Sequence, residues 1–118
     1  MASSEETYAR AIARFNACEA AHTVAGLSRT LGQPTVSIGA CAGSSSEVRI
    51  TVAWELTWYQ WGVDLADELR EVFELDRGSE LSQLDGSARQ WNASAVPGGR
   101  LLLGAPPPRR ERRGEPVG

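Results

Sequence analysis

The chain predicts an α+β fold: a long N-terminal helix packed on a small antiparallel sheet of about three to five strands, then a disordered Pro/Arg-rich C-terminal tail. Three observations carry this. Residues 4–31 are rich in alanine and keep apolar positions at helical spacing. Val48, Ile50, Val52, Trp54, Leu56 and Trp58 alternate with mostly polar residues, a period-two signal. From Gly104 onward, "GAPPPRRERRGEPVG" has no apolar periodicity at all. The expected organisation is one domain over residues 1–104 and a tail over 105–118.

The helix opens with Ser4 as a capping residue, and Glu5 and Glu6 suit its positive end. Gly32 and Pro34 stop it. Tyr8, Ile12, Phe15, Cys18 and His22 fall on one side. Val24, Leu27 and Leu31 fall on another, which runs back through Ala20, Ala17, Ala13 and Ala9. A single helix must therefore bend near Gly26 or bury two faces, one on its sheet and the alanine-rich one elsewhere.

Residues 35–41 read as a short strand. Pairing Ile38 with Ile50 and Val36 with Val52 makes an antiparallel hairpin with matched faces. The alternation fails at Gln60, and from Tyr59 onward Tyr59, Trp61, Val63 and Leu65 carry the opposite phase. A bulge or sharp bend produces such a slip. Residues 64–77 admit two readings. Leu65, Leu69, Val72 and Phe73 fit a helix face capped by Asp64. Alternatively "ADE" turns a hairpin that pairs Trp61 with Phe73 and Tyr59 with Leu75. Residues 79–91 hold at most a helical turn, with Leu81, Leu84 and Trp91 packing inward. Pro97-Gly98-Gly99 turns a final hairpin between two apolar runs.

Composition excludes several functions. The net charge of −3 divides into −5 over residues 1–104 and +2 over the tail. An acidic body disfavours nucleic acid as a partner, since phosphate contacts supply most non-specific affinity. Arg109, Arg110, Arg112 and Arg113 are the one basic cluster. No apolar run approaches the roughly 20 residues of a membrane span, so no membrane partner is expected. The N-terminus lacks a signal-peptide pattern, and the protein reads as cytoplasmic. All twelve basic residues are arginine. With abundant Ala and Gly, this reads as codon bias in a GC-rich, bacterial genome.

No catalytic set, cofactor motif or metal cluster is evident. Cys18 and His22 share a helix face four residues apart, a spacing that suits a thiol–imidazole pair or two metal ligands. Only Cys41 remains as a third soft donor, so neither a metal nor a cofactor is expected. Asn92 opens an "NAS" glycosylation pattern, of no consequence without secretion. The acids Asp64, Asp67, Glu68, Glu71, Glu74, Asp76, Glu80 and Asp85 crowd one segment, which reads as a solvated face.

Two functional readings follow. The first is a non-enzymatic protein-interaction module, expected to be homodimeric, whose surface is Tyr59 and Trp61 with Glu55 beside them. The alternative is a small-molecule-binding protein or small enzyme with a pocket between helix and sheet near Tyr8, His22, Trp54 and Glu55. Trp54 itself continues the apolar stripe of Ile50 and Val52 and reads as core.

Overall fold

A computed structural model describes residues 4–40, 46–67, 69–84, 86–96 and 99–104. The expected tail over residues 105–118, with its four arginines, lies outside the described residues, as do Cys41, Glu68 and Asp85. The fold is α+β. Two helices, α1 (Ser4–Asn16) and α2 (Glu19–Leu31), precede six strands: β1 (Thr35–Ala40), β2 (Glu47–Ala53), β3 (Trp58–Asp64), β4 (Phe73–Gly78), β5 (Ala93–Ala95) and β6 (Leu101–Leu103). They form one antiparallel sheet in the order β4-β3-β2-β1-β5-β6. The sheet thus exceeds the expected three to five strands. The excess arises where the expected strand through residue 58 divides into β2 and β3; the last hairpin pairs on the free edge of β1 and leaves that strand central.

The long helix is two helices. The break falls at Ala17–Cys18, not near Gly26. The amides of Ala17 and Cys18 bond the carbonyls of Arg14 and Phe15, three residues back, which tightens the last turn of α1. Cys18 is then extended (φ −123°, ψ 178°) and starts α2. The cause lies in Asn16, whose carboxamide bonds the backbone of Leu101 in β6 and fastens the end of α1 to the sheet edge. Gly32 ends α2 at φ +90°, the left-handed stop that its glycine permits.

β1 and β2 pair in the expected register, Ile38 with Ile50 and Val36 with Val52. The long strand through residue 58 does not exist as one piece. β2 ends at Ala53, and the Trp54 amide donates to the Thr57 carbonyl at 2.7 Å, closing a tight turn. Leu56 sits at its tip, 76 % exposed. β3 then runs back along β2, placing Tyr59 opposite Val52, Trp61 opposite Ile50 and Val63 opposite Val48. Directly opposed residues share a face. Tyr59, Trp61 and Val63 therefore join the apolar face; the change of phase marks a reversal of chain direction.

The described residues of 64–77 form no helix. Asp64 and Asp67 each accept the backbone N–H two residues on, from Ala66 and Leu69. These are turns of the kind short acidic side chains stabilise. β4 follows, with Trp61 opposite Glu74 and Tyr59 opposite Arg77, not opposite Phe73 and Leu75. The pairing is displaced by one residue at Trp61 and by two at Tyr59, the register shift between Gln60 and Trp61 adding the second.

The helices cover the face carrying Val36, Ile38, Val48, Ile50, Val52, Trp61 and Val63, to which they add Ala11, Ile12, Phe15, Ala20, Ala21 and Val24. The other face is not bare. Leu81, Leu84, Ala88 and Trp91, from two short 3-10 turns and the residues around them, pack on Ala53 and Trp58. Thr51 and Gln60 are buried on that face and bond each other at 3.2 Å. The final hairpin closes as expected: Val96 donates to Arg100 and Gly99 donates to Val96. Gly99 has φ +83° and approaches Ala21 and Ala25 of α2 too closely for any side chain.

Candidate functional site

Four aromatic side chains make a continuous row on the helix-covered face. Phe15 meets Trp61 edge-on at 5.3 Å between ring centroids, Trp61 stacks on Tyr59 at 5.5 Å, and Trp54 meets Tyr59 edge-on at 6.4 Å. Such contacts add to the burial of each ring. Trp54 is anchored further, its Nε1 donating to the Gly32 carbonyl at 2.8 Å. Arg77 closes the row with its guanidinium 5.1 Å from the Tyr59 ring centroid. The same guanidinium makes two 2.8 Å bonds to Glu74, which holds it above its usual range.

Trp61 is 5 % exposed, so it does not stand out as a free surface aromatic. Tyr59 is half-buried beside it, and Glu55 is exposed in the β2–β3 turn. The three do not make one patch. The pocket set is also dispersed. Tyr8 packs half-buried on the core, Trp54 lies against the end of α2, and His22 is exposed at the start of α2, 3.5 Å from Glu19. The Cys18 thiol donates to the Phe15 carbonyl at 3.1 Å. Among the described residues, no group of three potential ligands converges on a metal position.

Concavity occurs instead at the helix junction. A cleft of about 560 Å³ opens where α1 breaks from α2. Asn16, Ala17, Cys18, Glu19, Ala20, His22 and Thr23 line it from the helices. Trp61 lines the cleft from β3, and Glu71 and Val72, from the β3–β4 connection, form the opposite wall. Two carboxylates, those of Glu19 and Glu71, are therefore among its lining residues. Glu71 is exposed and makes no ion pair among the described residues; Glu19 is engaged only with His22.

The β3–β4 wall is held in place from below. The Arg14 guanidinium donates to three backbone carbonyls: Asp64 at 2.6 Å, Asp67 at 3.2 Å and Arg70 at 2.5 Å. Arg70 in turn lies 4.0 Å from the Phe73 ring centroid and 3.5 Å from both Glu47 and Asp64. A connection with few buried apolar residues is thereby fixed to α1 by one guanidinium. Sequence reasoning missed this cleft because its walls are 50 residues apart in the chain. Only the acidic excess of the 64–85 segment pointed toward it.

A second cleft, of about 300 Å³, lies between the end of α2 and β5, and is lined mainly by Ala25, Pro34, Ala95 and Val96 with Arg29 and Gln33. No helix among the described residues is long and apolar enough to cross a membrane. Comparison of the chain with protein-family models, with curated proteins and with solved structures finds no match.

Proposed function

We propose that this chain is a non-enzymatic protein-interaction module that receives a basic segment of a partner in the cleft at the helix junction. The observation that carries this reading is that two carboxylates, Glu19 and Glu71, line one cleft together with Trp61. A guanidinium entering there can bond both acids while its stem packs on Ala17, Ala20 and Val72. The acidic body steers such a partner toward the surface. Homodimerisation and a cytoplasmic site of action remain part of the proposal, the partner segment being supplied by a second copy or by another protein.

The test is a titration of fluorophore-labelled arginine-rich peptides, followed by anisotropy at low and moderate salt. Binding that weakens several-fold in Glu19→Gln/Glu71→Gln and with added salt supports the reading. Equal binding by the native chain and the double variant overturns it.

A further inference from the structure

We propose that the outer edge of β4 pairs antiparallel with β4 of a second copy, joining two sheets about a two-fold axis beside Leu75 and Asp76. The surface uses none of the residues that line the junction cleft, so it stands whichever way that cleft is read.

β4 and β6 are the outermost strands of the sheet. At β6 the Asn16 carboxamide already bonds both backbone groups of Leu101. No described strand pairs with the outer edge of β4, and an edge of this kind is a template for another chain.

The β2–β3 hairpin fixes which β4 residues turn their backbone outward. In an antiparallel ladder, opposed pairs that exchange backbone hydrogen bonds alternate with pairs that do not. The Trp54 amide donates to Thr57 at one end of the hairpin, and the Leu65 amide donates to Ser46 at the other. Counting inward from either end makes Val52–Tyr59, Ile50–Trp61 and Val48–Val63 the bonded pairs. Tyr59 and Trp61 therefore direct their backbone groups to β2. Their opposites in β4, Arg77 and Glu74, must direct theirs away from β3. The Arg77 N–H agrees: it donates to the Asp76 Oδ1 at 2.8 Å.

Charge selects the occupant. Directly opposed residues share a face, so Glu74 and Arg77 lie on the same face as Trp61 and Tyr59. Three residues apart in a regular strand they would fall on opposite faces, and the bulge brings them together. In the two-fold pairing, Glu74 of each copy stands opposite Arg77 of the other. The spacing from 74 to 77 is the same in both copies, so both pairs come into register at once. Each pair can exchange two backbone hydrogen bonds. Each guanidinium, already bonded twice at 2.8 Å to its own Glu74, gains a second carboxylate. Opposite charges directly across a strand pair stabilise it, and like charges do the reverse. A foreign strand would need a base and an acid at these two positions; β4 itself carries both. The Arg77 N–H gives up its exposed bond to the neighbouring Asp76 for the Glu74 carbonyl of the second copy. Leu75, 41 % exposed, comes to lie beside the axis. One strand pair buries little area, so the dissociation constant is on the order of 0.1–1 mM.

The experiment is sedimentation equilibrium of the full chain up to about 1 mM. Glu74→Arg and Arg77→Glu each place like charges across both pairs. Each variant should dimerise at least about tenfold more weakly than the native chain. An equimolar mixture of the two should recover the dimer, because the mixed pair again sets opposite charges at both positions. That recovery cannot come from a change in folding, since each variant keeps its own damaged internal pair. A native chain that stays monomeric overturns the proposal. So does a native dimer that both variants retain, or one that the mixture does not restore. A dimer kept in the β4 variants but lost in Glu19→Gln/Glu71→Gln assigns self-association to the junction cleft and overturns this pairing alone.

Discussion

The carboxamide of Asn16 and the backbone of Leu101 bond each other in both directions. Nδ2 donates to the carbonyl at 3.0 Å, and the Leu101 N–H donates to Oδ1 at 2.8 Å. A side chain here stands in for a seventh strand at one residue of the β6 edge. An unpaired edge strand invites another chain to pair with it. Asn16→Ala should cost about 1–3 kcal/mol. It should also raise hydrogen exchange at the Leu101 amide more than at the Ile50 amide. Unchanged protection at Leu101 would show that the pair does not hold the edge.

Trp61 belongs to the core beneath α1, against Phe15. Trp61→Ala should destabilise by about 3–5 kcal/mol, comparable with Trp54→Ala. Thermal melting of the two variants checks this. A Trp61→Ala protein that melts like the native chain would return the ring to the surface.

Thr51 and Gln60 form a buried polar pair on the sheet face away from the helices. Thr51→Val removes the acceptor and strands the Gln60 amide, at a cost of about 1–3 kcal/mol. Adding Gln60→Leu should recover part of the loss, because both polar groups are then gone. Chemical denaturation of the single and double variants measures the coupling. Additive costs would show that the hydrogen bond contributes nothing.

Gly62 leaves the space that the Phe73 ring fills, and a methyl group added there would meet ring carbons at 2.5 and 2.6 Å. Gly62→Ala should therefore cost about 1–3 kcal/mol by overpacking. Phe73→Leu in the same chain should relieve it. A Gly62→Ala protein as stable as the native one would mean that β4 shifts freely along β3.

The hairpin of β1 and β2 was legible because its alternation and its facing isoleucines agree. The final hairpin was legible from Pro97-Gly98-Gly99. Residues 54–58 misled for a physical reason. A four-residue turn built from Trp54, Glu55, Leu56 and Thr57 contains neither glycine nor proline, and Leu56 keeps the strand period while pointing into solvent. The break between α1 and α2 was hidden in the same way, since its cause is a partner 85 residues distant. The candidate cleft was unreadable from local pattern, because its floor and two walls come from three separate parts of the chain.

Asn92 repeats the device of Asn16. Its Oδ1 accepts from the Ile38 N–H at 2.8 Å and its Nδ2 donates to the Ile38 carbonyl at 2.9 Å, continuing the β1–β5 ladder past its last backbone pair. The "NAS" pattern therefore marks an amide already committed to the fold, and a glycan on Nδ2 would have to break that bond.

The return of β5 and β6 to the free edge of β1 has a consequence for biosynthesis. β1 through β4 are joined by successive hairpins and can assemble from neighbours in the chain. The seam that fastens α1 cannot form until Leu101 has left the ribosome, long after Asn16. Closing a loop of that length is an entropic cost met late, and contacts this far apart in sequence slow the overall rate. Until then the nascent chain presents the unpaired outer edge of β1 and an apolar face without β6, the surface a holding chaperone would find.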